Sequence, residues 1–405
     1  MFFTIEMIQV SKAQSIITRE TGTLGSKRIE IANAVGRVLA EPIIADTDLP
    51  PFDRSQMDGY AVNASDTLNA PATLNLVGES AAGRGWHREL KSGQAVAIMT
   101  GAPVPKGADA VQKIELTRLK NESSVEILEP TEKGRYIIRK GDEIKKGEII
   151  FSAAEVVTEN MIAAIAAFGY AKVRVAKQPR VSILGTGSEI VEINKKPGRD
   201  QIRNSNSVML EILSRKFGGS ATVLPIAKDD ISDLKFQISN AAKRTDMLIV
   251  TGGVSVGKYD HTKTALSELG AEIFFEKIRL KPGKPAVFAR LGKCLIFGLP
   301  GNPVSAAVTF HLFARQALLQ LQNASEPLAK RGFALLTIDT RGAKERDTYL
   351  PARLSTNKLG HLIAHPLKWS GSSDFVGFSR AEALIVVPQG SQLEKGSVAE
   401  IVYLQ

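Results

Sequence analysis

Cysteine is almost missing from this chain of 405 residues, with Cys294 as the single example. No disulfide can close within one chain and no thiolate metal cluster is available, which points to a reducing, cytosolic compartment. Histidine is sparse too. His87, His261, His311, His361 and His365 show no ligand spacing, which argues against a zinc site. Aromatic residues make up only 6%, and the lysines and arginines are scattered. Nucleic-acid binding calls for clustered cations with stacking rings, so it is disfavoured. No apolar run reaches the length of a membrane span. The opening stretch from Met1 to Ile8 is short, is interrupted by Glu6 and lacks a basic start, and so reads as neither signal nor anchor.

What the chain does have is an ordinary globular composition, 43% hydrophobic and 23% charged, with a formal net charge of +10. Its length suggests two to four domains. A basic protein attracts anions, and without nucleic-acid or membrane features the expected partner is an anionic small molecule.

From Pro179 to about Gln322 strand and helix patterns alternate. Arg180–Leu184, Ala221–Ile226 and Met247–Val250 read as short buried strands, with helical spacing at Asn206–Phe217 and Ser232–Lys243 between them. That rhythm predicts a largely parallel, doubly wound α/β sheet whose ligands lie beyond the carboxyl ends of its strands. From about Asp46 to Gly147 the chain is rich in glycine and proline with short β-type runs, the texture of a small β domain. Val156–Phe168 reads as a buried helix capped by Gly169. After Ser325-Glu326-Pro327 the runs Leu335–Ile338 and Ala383–Val387 predict a small barrel or sandwich.

Four turns in the α/β region suit an anion. Leu184-Gly185-Thr186-Gly187-Ser188-Glu189 combines glycine backbone with a carboxylate. In Val250–Asp260, Gly252 and Gly253 follow a buried strand and form a nest of N–H groups, with Ser255 beyond them. Asp260 reads equally as an N-cap or a metal ligand. Lys277–Pro285 pins Lys277, Arg279, Lys281 and Lys284 in a rigid loop. Phe297–Ala306 ends a strand and starts a helix at Asn302 and Pro303, with Ser305 in its first turn. Two further loops, Pro50–Ala61 and Met99–Pro105, place polar residues among breakers outside that domain.

Taken together, Pro-Phe-Asp-Arg-Ser-Gln-Met-Asp-Gly-Tyr-Ala (51–61), Met-Thr-Gly-Ala-Pro-Val-Pro (99–105), Thr-Gly-Gly-Val-Ser-Val-Gly (251–257), Lys-Pro-Gly-Lys-Pro (281–285) and Leu-Pro-Gly-Asn-Pro-Val-Ser (299–305) resemble MoeA-type molybdopterin molybdenumtransferases and the gephyrin E domain. The likeness runs in order over nearly the whole chain. It implies a linker domain (1–45 and 148–178), an inserted β domain (46–147), a molybdopterin-binding α/β domain (179–326) and a C-terminal β-barrel (327–405). It further implies a cytoplasmic homodimer whose active site lies between the β domain of one subunit and the α/β domain of the other. By motif position Asp58, Thr100, Glu143, Glu189, Asp229, Asp260, Lys277 and Lys281 fall where the family has residues important for activity. Lys284 and Ser305, with Ser372 of the 370–373 loop, fall where it holds molybdate. Asp142 competes with Glu143 for one position, and Asp230 with Asp229. Where many relatives have an arginine this chain has Pro351, so Arg353 or Arg346 has to supply that charge.

The implied substrates are molybdate and molybdopterin joined to AMP by a phosphoanhydride, with Mg²⁺ held by Glu189 and Asp260. On this reading Gly252 and Gly253 cradle phosphate, Ser255 also binds substrate, Lys284, Asn302 and Ser305 place molybdate, and AMP is hydrolysed off as metal is inserted. A molybdopterin adenylyltransferase and apo-molybdoenzymes are the expected transient partners, with no nucleic acid and no membrane. Two other readings compete. A molybdopterin adenylyltransferase shares the α/β domain but is generally that domain alone. A non-catalytic scaffold would not need the acidic and lysine set kept here.

Overall fold

The computed structural model describes residues 6–228, 230–253, 261–368 and 370–404. The chain divides into two units. The first comprises Met1–Glu41, Ala153–Ile162 and Lys172–Gln405, and the second Pro42–Ser152 and Ala163–Ala171.

The centre of the first unit is a six-stranded sheet built from β1 (Arg180–Gly185), β2 (Ser220–Val223), β3 (Met247–Thr251), β4 (Glu272–Lys277), β5 (Pro285–Leu291) and β6 (Cys294–Leu299), in the order β2-β1-β3-β6-β5-β4. The first four in that order are parallel, while β5 runs antiparallel to both its neighbours, β6 and β4. Chain length forces this. Only Gly292 and Lys293 separate β5 from β6, and seven residues separate β4 from β5, too few for a crossover.

Alternate residues of each strand enter different cores. Val181, Ile183, Met247, Ile249 and Phe297 face α1 (Ser205–Lys216) and the N-terminal helix Val10–Glu20. Leu184, Leu248, Val250 and Ile296 face α2 (Ile231–Ala242) and α3 (His261–Glu268). Period-two burial on both faces is the signature of a doubly wound sheet. After β6 comes α4 (Pro303–Thr309), which passes through a π turn at Phe310–Ala314 into α5 (Arg315–Leu321).

Beyond it, Arg331–Leu336, Asp347–Thr356, Leu362–Pro366, Ala383–Val387 and Val398–Tyr403 close into a barrel, because Asp347–Thr356 pairs with both Leu362–Pro366 and Ala383–Val387. The interior is narrow and filled largely by Ala334, Ala352, Ala364, Ala383 and Ala399 with Leu336, Ile385 and Ile401. A barrel rather than a sandwich is therefore the outcome for the tail. Leu280–Lys281 adds in parallel to Asp347–Thr348, which ties the lysine loop to the barrel.

In the second unit a six-stranded sheet runs Ala110–Lys113, Gly59–Val62, Gln94–Ile98, Ala72–Ser80, Ser124–Ile127 and Thr117–Asn121. Tyr60, Val62, Leu74, Val125 and Ile127 pack on one face, and Ala61, Val96, Ile98 and Val111 on the other. This is the expected small β assembly, and within Pro42–Ser152 the only helical pieces among the described residues are 3₁₀ turns.

Two expectations are corrected. The helix read as Val156–Phe168 spans Glu159–Ala167, because Val156 is taken by a bridge to Val38. It is also not buried all round: Met161, Ile165 and Phe168 are covered, while Ala163, Ala166 and Ala167 are exposed, since alanine carries apolar character without demanding burial. Gly169 does end it, at φ 77°. The strand read as Leu335–Ile338 is Arg331–Leu336, which leaves Ile338 exposed.

Candidate active site

The carboxyl ends of β1, β3 and β6 meet as a doubly wound sheet requires. Thr186 N–H donates to the Thr251 carbonyl at 3.0 Å, and Gly252 N–H to the Leu299 carbonyl at 3.3 Å. Asn206, buried in the first turn of α1, ties the turns together: its amide donates to Thr251 Oγ1 at 3.0 Å and to the Gly301 carbonyl at 2.7 Å. Asn204 caps that helix, accepting from Ser207 N–H at 3.1 Å. Two helix starts, at Ser205 and Pro303, therefore open on one cleft, and both present the positive end of a helix dipole.

This cleft has a volume of about 930 Å³ and is lined by Glu189, Asn206, Thr251, Gly252, Gly253 and the Pro300–Pro303 turn, with Ile190, Ile193, Pro197 and Ile202 forming an apolar wall. Glycine is required at position 252, where φ is +96° and a Cβ would meet the Thr186 carbonyl oxygen at 2.3 Å. Gly187 is favoured by its φ of +142°, whereas the Glu189 carboxylate that a Cβ there would meet is the end of a side chain that can move. The nest expected of Gly252 and Gly253 is changed in one respect: Gly252 N–H is engaged by Leu299, so the turn does not offer both amides. Asn206, which lines this cleft, has its Oδ1 buried with no partner, and Thr186 Oγ1 and Ser207 Oγ are buried and unpartnered behind the lining.

A second cleft of about 620 Å³ adjoins the first and shares Pro285, Pro300 and Asn302 with it. Lys281, Lys284, Arg341 and Arg346 line it together with Ser305 and Ser372, and no carboxylate lines it among the described residues. None of the four cations makes an ion pair among the described residues. Four cations around hydroxyls and a helix start fit a compact oxyanion. Asn302 begins α4 without capping it; its amide instead donates to Ser372 Oγ at 2.8 Å, and Val304 N–H donates to the Ser372 carbonyl at 3.1 Å. The two arginines weighed against Pro351 lie in different places. Arg346 precedes the barrel strand that Leu280–Lys281 joins, and so it lines the cleft; Arg353 is exposed further along that strand.

Of the expected site residues, the structure thus gathers Glu189, Gly252, Gly253, Lys281, Lys284, Asn302, Ser305 and Ser372 around two adjoining clefts. Lys277 lines neither cleft; its ammonium lies 3.7 Å from Glu276 Oε1. Asp229, Ser255 and Asp260 lie outside the described residues. Sequence reasoning missed Asn206 and Arg341. The polar run Asn204-Ser205-Asn206-Ser207 at a helix start was the available signal for the first.

In the second unit Asp58 and Thr100 form a pair. Asp58 Oδ1 accepts from Thr100 N–H at 2.7 Å and from its hydroxyl at 3.0 Å, and these bonds hold the Asp58 carboxyl below the usual aspartate range. Glu143 meets Arg54 at 2.7 Å, whereas Asp142 accepts from Arg139 N–H at 2.9 Å within its own turn. That gives Glu143 the tertiary contact and Asp142 a local one.

Comparison with known proteins agrees with this architecture. Residues 8–169 match the MoeA N-terminal region (domain I and II), residues 182–320 a probable molybdopterin binding domain, and residues 334–404 the MoeA C-terminal region (domain IV). The molybdopterin molybdenumtransferase of Bacillus subtilis (strain 168) is 33% identical over 385 residues, covering 93% of this chain and 89% of its own. That of Haemophilus influenzae is 33% identical over 372 residues, covering 92% and 91%. A crystal structure of the molybdopterin biosynthesis MoeA protein from Pyrococcus horikoshii OT3 superposes with a TM-score of 0.84 at 28% identity, covering 98% of this chain and all of the other. The chain belongs to the molybdopterin molybdenumtransferases, the MoeA family, enzymes of molybdenum cofactor biosynthesis.

Proposed function

We propose that this enzyme takes molybdopterin carrying AMP through a phosphoanhydride, inserts molybdenum from molybdate and releases AMP. One observation carries the division of labour: a cleft whose charged lining is all cationic among the described residues and a glycine-lined cleft share the wall Pro285, Pro300 and Asn302. The cationic cleft takes molybdate, with Lys281, Lys284 and Arg346 offsetting its two charges and the Ser305 and Ser372 hydroxyls fixing its orientation. The other takes the pyrophosphate at the Gly252–Gly253 turn and the two helix starts, with the organic part against the Ile190–Ile202 wall. Two anions then lie side by side without meeting, because each has its own donors.

Among the described residues no group of three acidic or histidine side chains forms a metal cage. Glu189 alone brings a carboxylate to the glycine cleft among them. Mg²⁺ fits such a sparse set, since it uses one or two carboxylates and takes its remaining ligands from phosphate and water. Glu189 and Asp260 are the residues that would hold it, and when bound it would neutralise the charge that builds as the anhydride breaks. Gly187, with no Cβ, leaves room for the Glu189 carboxylate where it lies. Asn302, bonded to Ser372, holds the shared wall and so sets the distance between the two anions. Lys277 contributes positive charge along β4, and Asp58, fixed by Thr100, acts as an oriented carboxylate. Glu143 and Asp229 are retained as active-site acids on the family resemblance. The enzyme works as a cytoplasmic homodimer, taking substrate from a molybdopterin adenylyltransferase and passing product to apo-molybdoenzymes.

The test is incubation with adenylylated molybdopterin, Mg²⁺ and molybdate, following AMP release and reconstitution of an apo-molybdoenzyme. Both should rise together and depend on molybdate. Consumption of ATP with free molybdopterin in place of this would make the chain an adenylyltransferase.

A further inference from the structure

Beside the glycine cleft lies a smaller slot of about 360 Å³, which shares Ser205, Asn206, Pro303 and Phe375 with it. Met209 and Leu213 on α1 and Phe378 supply its apolar walls, and His311 also lines it. His311 belongs to the π turn that interrupts the α4–α5 helix, a distortion that recurs at functional sites. Its ring stands edge-on to Phe217 and Phe310 at 6.1 and 6.0 Å. Only 5% of the residue is exposed, and Nδ1 is buried with no hydrogen-bond partner. Asn206 Oδ1, on the boundary of slot and cleft, is buried and unpartnered as well. A slot with apolar walls and unsatisfied polar atoms fits a flat ring with a polar edge better than a plain hydrocarbon.

We propose that this slot seats the pterin ring of the substrate, with the His311 imidazole and the Asn206 carbonyl as hydrogen-bond partners for its polar edge. The inference rests on the reading of the substrate given above. Position selects the pterin over the adenine. The metal-binding sulfurs lie on the pterin half, so that half must reach toward the cationic cleft. Pro303 and Phe375 lead from the slot to Asn302 and Ser372 on that side. Adenine then follows the Ile190–Ile202 wall beyond Gly253. Burial, with Arg315 and Lys216 nearby, pushes the His311 imidazole down to about 3, so the ring is neutral at working pH and offers one donor and one acceptor nitrogen.

The full-length enzyme is titrated with 6-hydroxymethylpterin, read by quenching of the pterin fluorescence, and separately with AMP by calorimetry. His311→Phe keeps the ring stacking and removes the polar edge, and it should raise the pterin Kd about tenfold, the weight of one hydrogen bond. His311→Gln should stay within about threefold of wild type, and Ser379→Trp, at an exposed position lining the slot, should abolish pterin binding. AMP affinity should not change in any variant. The slot assignment is overturned if wild type binds no pterin, if His311→Phe binds it as wild type does, or if pterin and AMP affinity fall together. Wild type that binds pterin but forms no cofactor from the adenylate and molybdate would instead overturn the reading of the reaction.

Discussion

The two adjoining clefts share a wall and differ chiefly in how many cations line them. The smaller is lined by Lys281, Lys284, Arg341 and Arg346 without a carboxylate among the described residues; the larger has one carboxylate, Glu189, one cation, Arg203, three glycines and three isoleucines. A free dianion has no apolar body to hold and no fixed direction, so charge and hydroxyls must do all the work. A phosphate within a large ligand is positioned by the rest of that ligand, so shape, backbone and a helix start suffice, and a carboxylate can be tolerated. Side-chain charge marks the mobile reactant, and glycine geometry the anchored one.

That contrast can be broken in order of expected size. The largest effect belongs to Gly252→Val, whose Cβ has no place 2.3 Å from the Thr186 carbonyl oxygen. Turnover should fall about 100-fold or more as the turn is displaced, with molybdate binding by the isolated enzyme retained. Arg346→Glu comes next. It should raise the KM for molybdate about 30-fold and leave that for the adenylate within about twofold, whereas Arg353→Glu should change neither. Equal effects of the two arginine variants would remove the reason for placing Arg346 in the cationic cleft. Asn302→Ala loses one bond to Ser372 at the shared wall and should cost about fivefold in kcat/KM for both substrates, because that wall serves both clefts. The smallest effect lies outside the clefts. Thr100→Val removes one of the two donors that hold the Asp58 carboxyl low, so that carboxyl rises toward the ordinary aspartate value. If Asp58 must be ionised, the acid limb of the rate profile then moves to higher pH, with the plateau unchanged.

Much of the α/β layer was legible because its strands are short apolar runs between breakers: Met247–Thr251 and Arg180–Gly185 lie within a residue of their expected ends. Patterns that depend on a distant partner were not legible. Val156 continues a helical rhythm but belongs to a bridge with Val38. Asn302 carries every mark of an N-cap, yet its amide serves Ser372, seventy residues on. Arg346 and Arg353 are equally plausible until Leu280–Lys281 is seen to pair with Asp347–Thr348, which brings one of them to the lysine loop. Asn206 was hidden because an asparagine in the first turn of a helix looks like capping, whereas here it braces the ends of β3 and β6.

The most direct measurement is the anomalous scattering of tungsten from crystals of the enzyme soaked in tungstate, an oxyanion of nearly the same size and charge as molybdate. The account predicts a single strong peak within hydrogen-bond reach of Lys281, Lys284, Arg346 and Ser372, and its loss in Arg346→Glu. A peak at the Gly252–Gly253 turn, with the cationic cleft empty, would contradict it.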